Sequence, residues 1–181
     1  MSRASDYLRR LPPCWRHALV AFLAARLLAS AVAAVAFTTI PANPVVPAGG
    51  YVKPRLSVSG ELLLGVWERS DALWYLHLAR DGYQPVGGST AFMPLYPASL
   101  RVLNGLGLPL LQSALLLSNS AFLVALVGLY RLAERDFGPG VARRGVWYQA
   151  LFPASFFLLA PYTESLYLAL AVWALLGARE G

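Results

Sequence analysis

Hydrophobic residues in this chain gather into long runs, with little of the alternation that a half-buried soluble element shows. The first run, residues 18–40, is long enough at ~1.5 Å per residue to cross a hydrocarbon layer of ~30 Å. Arg9, Arg10, Arg16 and His17 precede it and Pro41, Pro44 and Pro47 follow. The prolines stop the helix and the basic flank marks its cytoplasmic side. A second run covers residues 108–133, with Ser118, Asn119 and Ser120 in its middle. Two more, 146–160 and 162–178, are parted at Pro161. The pattern predicts an all-α, polytopic transmembrane helical protein of about four spans. Residues 1–17 and 134–145 fall on the cytoplasmic side, and 41–107 form a long outer loop. A cleaved signal peptide is the rival reading of the first run, because Ala34-Val35-Ala36 imitates a cleavage site. That run exceeds the ~7 to 15 apolar residues of a signal core and carries Arg26, which favours an uncleaved anchor.

The outer loop has no uninterrupted run of spanning length, so interfacial or re-entrant helices are expected in it. Residues 61–81 contain no proline and only Gly65, and can be helical up to a C-cap at Gly82. Residues 91–106 lie along or re-enter the membrane from near Pro94 and Pro97. Residues 131–144 hold four arginines around Gly138-Pro139-Gly140 and read as a short basic cytoplasmic turn. Of the fifteen basic residues, nine fall on the assigned inside, five in the outer loop, and Arg26 within a span. Long loops cross largely regardless of charge, so this distribution sets both termini inside.

Composition sharpens the class. Among 181 residues, 57% are hydrophobic and 13% charged, which excludes an ordinary soluble domain. The single cysteine, Cys14, allows no internal disulfide, and with two histidines no zinc site of those residues can be built. The net charge of +6 is dispersed among apolar runs, so no nucleic-acid partner is expected. No metal or cofactor motif is apparent.

The chemistry-bearing residues lie in three places. At 100° per residue Asp71, Trp74, Tyr75 and Leu78 share one helix face, and His77 lies nearer Asp81. A carboxylate framed by aromatics at a membrane surface can take a proton from a hydroxyl, or can be a solvated acid in an aromatic belt. Glu164, just past Pro161, can cap a helix start or serve at the mouth of a site. Arg26 costs roughly 2.5 to 3.5 kcal/mol at midspan and should face protein, water or a lipid phosphate. Asn119 and Asn104 read as interhelical hydrogen-bond glue.

Three segments in order resemble the PIG-V family of membrane mannosyltransferases, in the GT-C superfamily. Ser70-Asp71-Ala72, continued by Leu78-Ala79 and Gly82-Tyr83, is similar to its Trp-Asp-Ala element and Ile-Ala-x-x-Gly-Tyr continuation. Ala91-Phe92-Met93-Pro94-Leu95-Tyr96-Pro97 resembles its Ala-Phe-Phe-Pro-Leu-Tyr-Pro element. Phe152-Pro153, followed by Tyr162-Thr163-Glu164-Ser165-Leu166, resembles its Phe-Pro and Tyr-Ser/Thr-Glu-Ser-Leu pair. Ser70 stands where the family usually has Trp, and residues 84–90 lack the acidic or histidine residues often found there. The resemblance covers the amino-terminal portion of the family, whose members run on through further spans.

What the resemblance implies is inverting transfer of a sugar, typically mannose, from a polyprenyl-phosphate donor at the outer or lumenal face. Asp71 would be the general base. Arg69, Arg80 and Arg101 would be candidates to neutralise the donor phosphate, with Tyr75 and Glu164 as further substrate-binding candidates. No cofactor or metal is implied. The partners would be membrane lipid, the sugar donor and, for the helices the family adds, a second chain. The membrane would be a bacterial plasma membrane, or the endoplasmic reticulum in a eukaryote. The alternative is a non-enzymatic integral membrane protein or subunit. A small transporter would need charges within several spans, and only Arg26 qualifies.

Overall fold

The computed structural model describes residues 10–40, 56–84 and 88–180. Expectations for residues 1–9, 41–55 and 85–87, which include most of the proline- and glycine-rich part of the loop, lie outside the described residues. Every regular element among those described is helical. In order they are α1 (Pro13–Thr39), α2 (Val58–Leu63), α3 (Asp71–Asp81), α4 (Leu95–Gly105), α5 (Leu110–Phe137), α6 (Pro139–Leu151), α7 (Phe156–Leu159) and α8 (Glu164–Glu180). Short 3-10 turns occupy Gly65–Trp67, Ser89–Ala91 and Pro153–Ser155.

Among the described residues two helices, α1 and α5, are long and apolar enough to cross a membrane, so the chain is a membrane protein by the length and composition of its helices. α1 starts five residues before the predicted apolar run because Pro13 takes the first helical position, where a missing N–H is harmless. It ends with Ile40 as extended C-cap, as the following prolines require. The imitation cleavage site at Ala34–Ala36 lies inside this helix.

The carboxy-terminal half departs from the expected pair of separate spans. The predicted basic turn is almost entirely helix: α5 continues to Phe137, Gly138 makes the corner alone at φ 83°, and α6 begins at Pro139. A residue with a Cβ is strained at that angle. Residues 146–160 are not one helix. α6 stops at Leu151, because the residue before Pro153 is pushed out of the helical region, and Phe152 accordingly sits at φ −60°, ψ 135°. With 13 residues, α6 is only ~20 Å long. The break expected at Pro161 is present: the segments Pro153–Leu159 and Glu164–Arg179 meet at 95°. They count as a third span if taken together.

α5 is the hub, packing against α1, α3, α4, α6, α7 and α8. His17 stacks on Tyr130 at 5.6 Å, so α1 runs antiparallel to α5. Arg179 pairs with Asp136 at 3.2 Å, so α8 runs parallel to it. α8 comes close because residue 128 is glycine. A Cβ there would lie 2.8 Å from Trp173 Nε1 and 2.9 Å from Val172 Cγ1, and the indole donates to Val124 O at 3.0 Å. This arrangement gathers the start of α1, the α5–α6 corner and the end of α8 at one end of the bundle, with their arginines.

The helix break frees carbonyls that the apolar surroundings would leave unsatisfied, and side chains from the spans take them up. Asn119 Nδ2 donates to Leu159 O at 3.1 Å, and Ser118 Oγ donates to Tyr162 O at 3.0 Å. Asn119 is thus the interhelical link expected of it. Asn104 is not: its amide bonds Leu108 O four residues on, a local turn contact. Arg26 faces protein, as its cost in a span demands, donating from Nη1 to Leu159 O at 3.1 Å.

Candidate functional site: a carboxylate pair on an aromatic floor

α3 is buried on most of its circumference, with Ala72, Leu73, Leu76, Leu78 and Ala79 almost without solvent contact. Its predicted extent back to Glu61 is interrupted by the Gly65–Trp67 turn and a non-helical stretch before Asp71. Its predicted end is met: Gly82 is the C-cap at φ 85°, with its N–H on Leu78 O.

At the amino end the backbone is strained. Ser70, the residue before Asp71, has φ 49° and ψ −125°, the one positive φ outside glycine among the described residues. Such a conformation costs about 1 to 3 kcal/mol and persists only where the surroundings hold it. Here the surroundings include Tyr162, whose hydroxyl donates to Arg69 O at 3.2 Å. Asp71 follows as the first residue of α3, with its side chain exposed.

Tyr75 lies one turn further along, buried, with its hydroxyl 3.2 Å from Thr163 Oγ1. Its ring packs edge-on against Phe92 at 5.2 Å and Tyr96 at 5.1 Å. Tyr96 OH is in turn 2.7 Å from Ser118 Oγ. Burial pushes the Tyr75 phenol above its ordinary value; the Thr163 hydroxyl pulls it back, and the nearby carboxylates of Glu164 and Asp71 push it further up. Burial also raises Tyr96. Both phenols are therefore neutral donors at physiological pH.

Glu164 opens α8, as its position after Pro161 predicted, and its charge and that of Asp71 act on each other. It borders a cleft of about 340 Å³ between Met93–Tyr96 and the first turns of α8. The result is two carboxylates, one opening α3 and one opening α8, on elements joined by the Tyr75–Thr163 contact. Carboxylates accept from hydroxyls and aromatic faces pack against apolar ring surfaces, which together suit a polyhydroxylated ligand.

The three candidate arginines separate. Arg69 stands two residues before Asp71, exposed. Arg80 and Arg101 lie at the other end of α3, ~15 Å away along an 11-residue helix. Arg80 bonds both carboxylate oxygens of Asp81 at 2.8 to 3.0 Å. Arg101 donates from Nε to Ala79 O at 2.9 Å and from Nη2 to Leu78 O at 3.2 Å, closing the helix terminus. Neither belongs beside Asp71. His77 Nδ1 lies 2.8 Å from Asp81 Oδ2, the i,i+4 neighbour predicted, though off the line of the ring N–H.

Sequence alone gives Tyr162, Thr163 and Tyr96 no individual role, because their significance rests on contacts between segments up to 93 residues apart. Glu68 was passed over as well and is 1% exposed. Among the described residues no cluster of three or more histidine, cysteine or acidic side chains could hold a metal. Compared with protein-family models, with curated proteins and with solved structures, the chain matches none.

Proposed function

We propose that this chain is a PIG-V-like membrane glycosyltransferase, or its amino-terminal portion, and that it moves mannose from a polyprenyl-phosphate donor onto an acceptor hydroxyl. The observation that carries the reading is convergence. The three sequence segments that resemble the family meet in one place, through the Tyr75–Thr163, Tyr75–Phe92, Tyr75–Tyr96 and Tyr162–Arg69 contacts. The resemblance concerns residue types and their order along the chain, so the meeting in space is independent support.

In the proposed step the acceptor oxygen attacks the sugar's anomeric carbon, the bond from that carbon to the phosphate oxygen breaks, and the configuration inverts. Asp71 takes the hydroxyl proton, and the polyprenyl phosphate leaves as an anion that Arg69 can partly neutralise. Glu164 and Tyr75 hold sugar or acceptor hydroxyls. The basic end of the bundle is then cytoplasmic, and the site, at the opposite end near the start of α8, faces the outer or lumenal side. The count of four spans belongs to this reading.

Membranes containing the chain, supplied with polyprenyl-phosphate-mannose, should transfer the sugar. Asp71→Asn should cut that transfer by about 100-fold or more while leaving thermal unfolding in detergent unchanged. Equal transfer by wild type and variant would remove Asp71 from the chemistry.

One observation favours a second reading, a subunit of a larger assembly. Only 17% of α1's apolar window is buried, against 56% for α5, leaving a face that lipid or another chain's helices can cover. On that reading the chain is silent alone and transfer appears only when a partner is co-expressed.

A further inference from the structure

Arg26 sits halfway along α1, far in sequence from every segment of the carboxylate site, yet it touches the flank of each half. Nη1 donates to Leu159 O, the carbonyl that closes α7 five residues before Glu164, at 3.1 Å. The guanidinium carbon lies 4.3 Å from the centre of the Trp67 ring, four residues before Asp71. Trp67 is buried. A guanidinium is flat, so it can lie on an indole and donate in its own plane at once; an ammonium, a compact point charge, offers no such stack. The same Leu159 O also receives Asn119 from α5, whose amide donates to its own Leu115 O as well. The helix break is therefore held to the rigid hub, and through Arg26 the segment leading to Asp71 is held to the helix break.

We propose that Arg26 is a positioning residue, a clasp that sets the gap between the Trp67–Asp71 segment and the Leu159–Glu164 segment and hence between the two carboxylates. It does not touch substrate. The functional meaning of that gap rests on the glycosyltransferase reading; the gap itself does not.

The test uses the full chain in nanodiscs with Cys14→Ser and nitroxides on Arg69→Cys and Tyr167→Cys, both exposed. Electron–electron double resonance then reads the spacing across the site. Arg26→Met removes a charge from a span and should insert at least as well as wild type. It should keep or raise the unfolding midpoint while shifting the label distance by about 2 Å or more, the scale of a loop rearrangement. Trp67→Leu, which leaves the bond to Leu159, should widen it too. Arg26→Lys, with charge but no flat stack, should not restore it. An unchanged distance in Arg26→Met or Trp67→Leu, recovery by lysine, or a midpoint that falls together with the widening would each overturn the clasp. In transfer assays Arg26→Met should lower kcat with little change in donor KM. No transfer by wild type would sink the enzymatic reading and leave the distances to decide the clasp.

Discussion

The two ends of α3 carry nearly the same residues and behave differently. At the carboxy end, Arg80, Asp81, His77 and Arg101 answer one another: carboxylate to guanidinium, guanidinium to helix carbonyls. Charges there close a helix terminus, which is what cations near a C-terminus do in any helix. At the amino end, Arg69 and Asp71 flank a residue held at a strained φ, and no ion pair among the described residues engages Asp71. Its charge is one of those that act on a second carboxylate, Glu164. Proximity of acid and base in the sequence thus says little about function; what matters is whether the fold has already satisfied them.

The strongest way to break this comparison is to neutralise the two aspartates in parallel. Asp71→Asn should cut glycosyl transfer by about 100-fold or more, the lower range for losing a general base, and Asp81→Asn should leave it within about twofold. Equal losses would show that the ends do not differ as the geometry implies. Next, Arg101→Ala removes two charged hydrogen bonds to the end of α3 and should destabilise the protein by about 1 to 2 kcal/mol in a detergent melt. Transfer at a permissive temperature should survive. Arg69→Ala against Arg80→Ala sharpens the assignment of the phosphate partner. Transfer should fall about tenfold in the first, with donor KM raised, and hardly at all in the second.

Ser70→Gly probes the strain itself. Glycine tolerates φ 49° without penalty, so relief of strain should stabilise the fold, offset by the greater freedom of glycine in the unfolded chain, for a net gain of up to about 1 kcal/mol. The same variant should transfer more slowly, because Asp71 is held less firmly. Faster transfer would mean that the strain has no positioning role.

The smallest effect expected is acid sensitivity at the other end. The Asp81 carboxyl is held below its ordinary value of 3.8 chiefly by its hydrogen bond to Arg80. A depressed folded value means that the stabilisation is present above the unfolded value and is lost as pH falls through the folded one. Wild type should therefore melt slightly above Asp81→Asn at neutral pH, and the two curves should converge once the pH falls below the folded value. The group is exposed, so the difference is small.

Much of the frame was legible because its causes are local. Run length specifies α1 and α5, proline placement ends α1 and starts α8, and glycine fits the positive φ at Gly82 and Gly138. The division of residues 146–160 was written in Pro153, but hydropathy, which is blind to a backbone break, outweighed it. The strained Ser70 left no mark, since serine signals no positive φ and only its packing imposes one. Arg80 and Arg101 look like phosphate ligands in a list of charges; whether an arginine is already engaged is a matter of geometry.

By itself, then, the sequence determined an all-helical membrane chain with apolar runs of spanning length at α1 and α5, an acid on a helix that ends at Gly82 and another just past Pro161, since each follows from run length, periodicity or a breaker within a few residues. Only the tertiary structure decided that Tyr75 reaches Thr163 across 88 residues, which ties α3 to the residue before α8. It also decided which arginines close a helix and which of them stands beside Asp71. Those outcomes depend on how α5 stacks its neighbours, and packing between distant segments has no local signature.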